Sequence, residues 1–376
     1  MSAHPASGLR YLGLRVRVES ADTRDLTWLQ EFVAPPFEVV DAGGWNRAVS
    51  FEVETKQHAA LMDLRTDHGV TAPCFALDQQ LVHHPVWASR SGERIVYDQE
   101  FDVFYHVRAG ALHVRVVTAE GNRAARIGLM RVVRELGMSY VWRSGGIVAH
   151  AAAVRLGDEG LAIVGPKGAG KTSLLTFLLR HRDAQYVSND RVLLRIENGR
   201  PLLRGLPTLV SVRSGTLAMF PALRDQLATR SYDHSTGLSE AAPDPSEIPR
   251  LATHRVRSLS PGQFCELLGV TRVTQTLLTG LLFPRVSGGR GGIELEPLSP
   301  GVAAVKLGNF LLRMGRSPET RSIFDFAVDE PIARDPPLQA RCRALTSRVQ
   351  CFECRLGQDA YRDLDCIDVL LERLHR

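Results

Sequence analysis

The residues best suited to chemistry are the eight from Gly165 to Thr172, Gly-Pro-Lys-Gly-Ala-Gly-Lys-Thr, which fit the spacing GxxxxGK[ST] in full. Glycines at these positions let the backbone curl until successive amide N–H groups point at phosphate oxygens. The positive end of the helix that follows adds to the attraction. In such a loop Gly165, Pro166, Lys167, Gly168, Ala169, Gly170, Lys171, Thr172 and Ser173 hold a nucleoside triphosphate, expected to be ATP. Lys171 neutralises its β- and γ-phosphates, and the Thr172 hydroxyl ligates Mg²⁺. The alternative is a glycine-rich turn beside a solvent lysine. It accounts less well for the flanks, an apolar strand from Leu161 to Val164 and a leucine-rich helix from Thr172 to Arg182.

Asp190 closes a short buried strand at Tyr186 to Val187, where a carboxylate reaches a metal directly or through water. An Asx-type turn cap is the other reading. Arg204 and Arg213 present guanidinium forks that match phosphate oxygens. Arginine is abundant here, because only Lys56, Lys167, Lys171 and Lys306 of the 46 basic residues are lysines, so a surface role stays open for both.

These residues need elements to hold them. Two apolar runs, Ile147 to Leu156 and Leu161 to Val164, flank Gly157-Asp-Glu-Gly160, which predicts a hairpin leading into the loop. Basic Arg180, His181 and Arg182 suit the end of the following helix. Ahead of this, residues 1–140 carry strand-like runs at Leu14 to Val18, Val39 to Val53, Ile95 to Tyr97 and Leu112 to Val117, which predict a β-rich domain. Ala125 to Tyr140 reads as an amphipathic helix through Leu129, Val132, Val133 and Leu136. Arg230 to Pro261, rich in Ser, Pro, Asp and His, reads as a long surface loop, a lid or a plain excursion. Beyond it come a strand at Leu278 to Val286 and a helix at Ser299 to Met314, with Gly308 inside the helix weakening it.

The bulk numbers narrow the function. At 376 residues the chain has room for one large or two medium domains, and 44% hydrophobic with 23% charged residues is the composition of a globular protein. The net charge of +5 is scattered, with no basic arm or aromatic-studded groove, so no nucleic-acid partner is expected. No run approaches the ~18 apolar residues of a membrane span and no signal peptide is visible, so a cytoplasmic protein is expected. The six cysteines should then be reduced. Cys351 and Cys354, flanked by Cys342 and Cys366, admit a zinc site, although a strand at Val349 to Leu356 before a terminal helix explains them as well.

The stretch from Gly146 to Pro221, and more loosely to about Leu312, resembles the carboxy-terminal catalytic domain of the HPr kinase/phosphorylase family, itself related to phosphoenolpyruvate carboxykinases. The carriers are His150-Ala-Ala-Ala-Val154, the Gly165–Thr172 loop, Val187-Ser-Asn-Asp190 and Arg204-Gly-Leu206. Peptide-tailoring kinases of lasso-peptide gene clusters look similar too. The resemblance implies an α/β (α+β) P-loop domain over 141–376, an oligomer, and an ATP-dependent kinase acting on a hydroxyl of a peptide, protein or small molecule. It places His150 beside the phosphates, as a proton acceptor or a hydrogen-bonded strand histidine. Lys171, Thr172 and Asp190 then hold nucleotide and metal, and His150 and Asn189 meet the acceptor.

The chain departs from the family at Asn189, where the family has its aspartate base, and at Leu202, where it has a glutamate near the metal. An amide cannot serve as that base. Phosphoryl transfer has a loose transition state and proceeds largely by positioning and charge neutralisation, so Asn189 can still orient a hydroxyl or a metal-bound water. The competing expectation is a switch or scaffold that binds ATP without phosphotransfer. Phosphorolysis, the reverse chemistry of the family's bifunctional members, needs a base that Asn189 does not supply.

Overall fold

The computed structural model describes residues 4–45, 47–63, 70–73, 83–88, 93–108, 113–229, 231–232, 239–240, 257–287, 291–312, 338–357, 359–362 and 364–374. They fall into two compact units that meet in sequence at Ser144 and Gly145.

The first unit runs through β1 Ala6–Tyr11, β2 Leu14–Ser20, α1 Thr23–Val33, β3 Glu38–Val40, β4 Ala48–Val53, α2 Thr55–Asp63, β5 Val70–Pro73, β6 His83–Ala88, β7 Arg94–Asp98, β8 Val103–Arg108, β9 His113–Thr118 and α3 Ala125–Arg143. Its strands form one sheet in the order β3-β1-β2-β4-β9-β8-β7-β6-β5. In β2 the alternation is strict: Leu14, Val16 and Val18 are buried and Arg15 is exposed, as a sheet with one dry face requires. Leu29 of α1 and Leu129, Val132 and Val133 of α3 are fully buried, and both helices pack on β2. Leu61 and Met62 of α2 cover Tyr97, Phe104 and Val117. The run Val39 to Val53, expected as one strand-like stretch, is two strands joined through Gly43 and Gly44.

The second unit contains β10 Ile147–Leu156, β11 Glu159–Val164, α4 Lys171–Leu178, β12 Ala184–Ser188, β13 Arg191–Glu197, β14 Arg200–Gly205, β15 Val210–Val212, α5 Ser214–Met219, α6 Pro221–Thr229, β16 Ser231–Tyr232 and β17 Ser239–Glu240. It continues through β18 Arg257–Leu259, α7 Pro261–Leu268, β19 Thr271–Arg272, β20 Gln275–Val286, β21 Ile293–Pro297, α8 Pro300–Asn309, α9 Leu338–Thr346, β22 Gln350–Leu356 and α10 Asp365–Leu374. The sheet order is β19-β12-β10-β13-β14-β20-β22-β21, with β11 bonded to β10 and β20. The predicted hairpin is β10 and β11, antiparallel from Leu156 and Glu159 to Ala151 and Val164. Beyond it β11, β20 and β22 run parallel, so the ends of three strands emerge on one side of the sheet. Leu161 and Ile163 on one face of β11 and Ala162 and Val164 on the other are all fully buried, which explains why these strands read as continuous apolar runs. Leu174, Leu175, Phe177 and Leu178 of α4 complete this core.

Several elements differ from the sequence reading. The helix after the loop ends at Leu178, and Arg180, His181 and Arg182 lie just past it. The helix expected to reach Met314 ends at Asn309, because Phe310 O accepts from His150 N at 2.8 Å and Leu311 pairs with Ala149. Met314 lies outside the described residues. Within the expected loop 230–261, β16 pairs with β17, β18 pairs with β15 through buried Leu259, and Ser260 and Pro261 open α7; the remainder lies outside the described residues. Helix α7 was not foreseen, although Ser260 and Gln263 form a reciprocal capping box at its start.

Cys351 and Cys354 are three apart on the extended β22, so their side chains leave from opposite faces. Burial pushes both thiols up to about 12, as it does Cys265. Cys74 is outside the described residues. Among the described residues no three His, Cys, Asp or Glu side chains gather as a group that could hold a metal ion.

Candidate functional site

The end of β11 delivers the chain into the loop. Gly168 and Gly170 have φ of 89° and 94°, a left-handed conformation that side chains with a Cβ rarely adopt. This fits the GxxxxGK spacing, since the backbone must reverse twice before α4 begins at Lys171. A Cβ at Gly170 would also sit 3.1 Å from Leu356 Cδ1 and 3.5 Å from the Tyr361 hydroxyl, so β22 and the segment after it press on the loop. Pro166, Lys167 and Gly168 are exposed, and Ala169 is partly so; its N–H bonds Pro166 O at 3.2 Å.

Lys171 is buried, and its Nζ donates to Gly165 O at 2.7 Å and Pro166 O at 3.0 Å. Thr172 is half-buried on the opening turn of α4, and its carbonyl accepts from Thr176 Oγ1. The Ser173 hydroxyl lies 2.9 Å from Thr216 Oγ1 of α5 and also hydrogen-bonds the Tyr361 phenol. That places it in the contact that anchors α4.

His150 on β10 and Asp190 at the β12–β13 turn come together because β10 pairs with β13, setting His150 opposite Arg191. His150 Nε2 lies 2.9 Å from Asp190 Oδ1, and Arg191 Nε lies 3.6 Å from Oδ2. Burial pushes the Asp190 carboxyl up, but the His150 hydrogen bond and the charges of His150, Arg191 and Lys171 outweigh it and hold the carboxyl well below its ordinary value. Asp190 therefore stays ionised, and it lies close enough to Lys171 to respond to its charge. Its side chain keeps 27% of its surface open.

Asn189 is fastened into the fold. Its Oδ1 accepts from Tyr186 Oη at 2.7 Å and Thr208 Oγ1 at 3.1 Å, and its Nδ2 donates to Leu209 O at 2.9 Å. Burial raises the Tyr186 phenol well above its ordinary value, so it remains a donor. The amide thus ties the turn before Asp190 to the chain between β14 and β15.

Arg204 is buried on β14, whereas Arg213 is exposed and caps α5. In Arg204-Gly205-Leu206, a Cβ at Gly205 would lie 2.2 Å from Val187 O, so only glycine lets β14 pass β12. Leu202 is half-buried and pairs with Leu277 on β20.

Two neighbours of the loop were missed in the sequence. Tyr361, packed on Phe177 and Phe220, carries no local signal. Pro284 of β20 is the other, since its ring would lie 3.7 Å from a Cβ at Gly165. Its one sequence signal was a place near the end of the expected strand Leu278 to Val286.

No family model matches the chain, and no curated protein matches it. The solved structure of the Hpr(Ser) kinase/phosphatase from Coxiella burnetii is similar, with a TM-score of 0.23 and 15% identity over 61% of this chain and 90% of that chain. Values that low describe a distant likeness. No helix among the described residues is long and apolar enough to cross a membrane.

Proposed function

We propose that this protein binds ATP with Mg²⁺ and transfers the γ-phosphoryl group to a hydroxyl of a peptide, a protein or a small molecule. The observation that carries the reading is one electrostatic neighbourhood containing the Gly165–Thr172 loop, Lys171 and an ionised Asp190 bonded to His150. The residues fit the two ligands chemically. Left-handed glycines free the loop amides for phosphate, and the Thr172 hydroxyl and Asp190 carboxylate are the hard oxygen donors that Mg²⁺ takes, with phosphate and water completing its shell. Mg²⁺ supplies neutralisation of charge on the bridging and terminal phosphate oxygens.

In the reaction a P–O bond forms between the acceptor oxygen and the γ-phosphorus as the bond to the β-phosphate oxygen breaks, and ADP leaves. Lys171, released from the loop carbonyls, neutralises the β- and γ-phosphates. The hydroxyl proton passes to His150, whose Nε2 lies 2.9 Å from Asp190 Oδ1. Asn189 acts by fixing the turn that carries Asp190. The β-rich residues 1–140 supply acceptor recognition or assembly contacts, and a cytoplasmic oligomer belongs to the same proposal.

A second reading, an ATP-binding switch without phosphotransfer, is favoured by one observation: the residue that would replace a family base is an amide already held by Tyr186, Thr208 and Leu209. Incubating the protein with γ-labelled ATP, Mg²⁺ and extract of its source, beside Lys171→Ala, separates the two. Label on a peptide, protein or metabolite that disappears in the variant supports the kinase. Nucleotide binding with no labelled acceptor supports the switch.

A further inference from the structure

The loop precedes α4, while a cleft of about 640 Å³ follows it, lined in part by Arg155, Asp158, Arg180, Arg182, Asp183 and Gln185. Eight helical residues separate the two, about 12 Å of axis at ~1.5 Å per residue. The volume is within the roughly 300–1,000 Å³ usual for small-molecule sites.

Two features of the lining call for a ligand. Arg155 on β10 is paired in register with Gln185 on β12, and Arg155 Nε and Gln185 Oε1 are buried atoms without a hydrogen-bond partner among the described residues. Gln185 Nε2 already donates to Thr271 Oγ1 at 2.9 Å, so exchanging the amide's ends would only move the deficit to its nitrogen. Buried polar atoms are ordinarily satisfied, which makes this pair a fitted acceptor and donor awaiting a complement. The charge is also unbalanced. Arg182 pairs with Asp183 at 3.3 Å, and Arg180 is anchored to the neutral Tyr361 carbonyl at 3.2 Å. That leaves the guanidiniums of Arg155 and Arg180 set against one carboxylate, Asp158.

We infer that this cleft is a second ligand site, separate from the phosphate loop, which takes a small oxyanion bearing a hydroxyl group, such as a phosphorylated or carboxylated polyol. The oxyanion accepts from Arg155 and Arg180, and the hydroxyl donates to Gln185. The inference does not depend on phosphotransfer at the loop.

The test is calorimetric titration of glycerol 3-phosphate, as probe, into the full chain and two variants, with the loop filled by saturating ADP and Mg²⁺. Wild type still binds the probe under these conditions, because the loop is not the site. Arg155→Gln binds roughly tenfold or more weakly, the loss of one charge-assisted hydrogen bond. Arg180→Gln, at an exposed position, weakens binding in the same direction and covers the case in which Arg155→Gln fails to fold. The proposal is overturned if wild type shows no saturable binding up to about 10 mM, where even a millimolar site fills. It is equally overturned if both arginine variants bind the probe as tightly as wild type.

Discussion

On sequence alone, Asn189→Asp looks like the restoration of a missing catalytic base. The structure leads to the opposite outcome. Asn189 is 6% exposed, and its amide accepts from Tyr186 and Thr208 while donating to Leu209 O at 2.9 Å. An aspartate keeps the two acceptor contacts but turns a lone pair toward the Leu209 carbonyl, next to the already ionised Asp190. Losing one donor and leaving a partly buried carbonyl facing an acceptor costs about 1–3 kcal/mol. At about 2–4 °C per kcal/mol for a unit of this size, the melting temperature falls by roughly 2–12 °C. Differential scanning calorimetry on wild type and variant reads this directly, and a phosphotransfer assay on the same samples should show no gain. A variant as stable as wild type, or one that transfers phosphate faster, would refute the idea that Asn189 acts through the fold.

The acid response should follow Asp190. Its carboxyl ionises more readily folded than unfolded, so it adds stability above its ordinary value of 3.8 and loses it as pH falls through 3.8 toward the lower folded value. The stability gap between wild type and Asp190→Asn, from urea midpoints, therefore narrows between neutral pH and pH ~3; a gap that widens would contradict the assignment. Gly205→Ala drives a Cβ to 2.2 Å from Val187 O and should cost at least about 1–3 kcal/mol in chemical denaturation. Phe177→Ala empties a fully buried site between α4 and the sheet and should cost about 3–5 kcal/mol.

The loop, its hairpin and the helix behind it were legible because each rests on spacing within a few residues. Glycines stand where φ must be positive, apolar runs match strand length, and a turn lies between Leu156 and Glu159. Helix α7 is equally local, since Ser260, Pro261 and Gln263 spell its cap. The extent of α8 was misjudged because its periodicity continues past Asn309, where the backbone instead turns to pair with β10.

What the sequence by itself determined was that a tight glycine loop stands between β11 and α4 and which residues compose it, because that conformation is dictated by local backbone freedom. Only the tertiary structure decided what surrounds it. Asn189 meets Thr208 and Leu209, 19 and 20 residues away, and Tyr361 reaches Gly170 from a different element altogether. His150 reaches Asp190 only through the register of β10 on β13, and Arg155 joins Gln185 only through β10 on β12. Strand pairing sets such contacts, and sheet register is fixed by the burial of whole faces rather than by any motif.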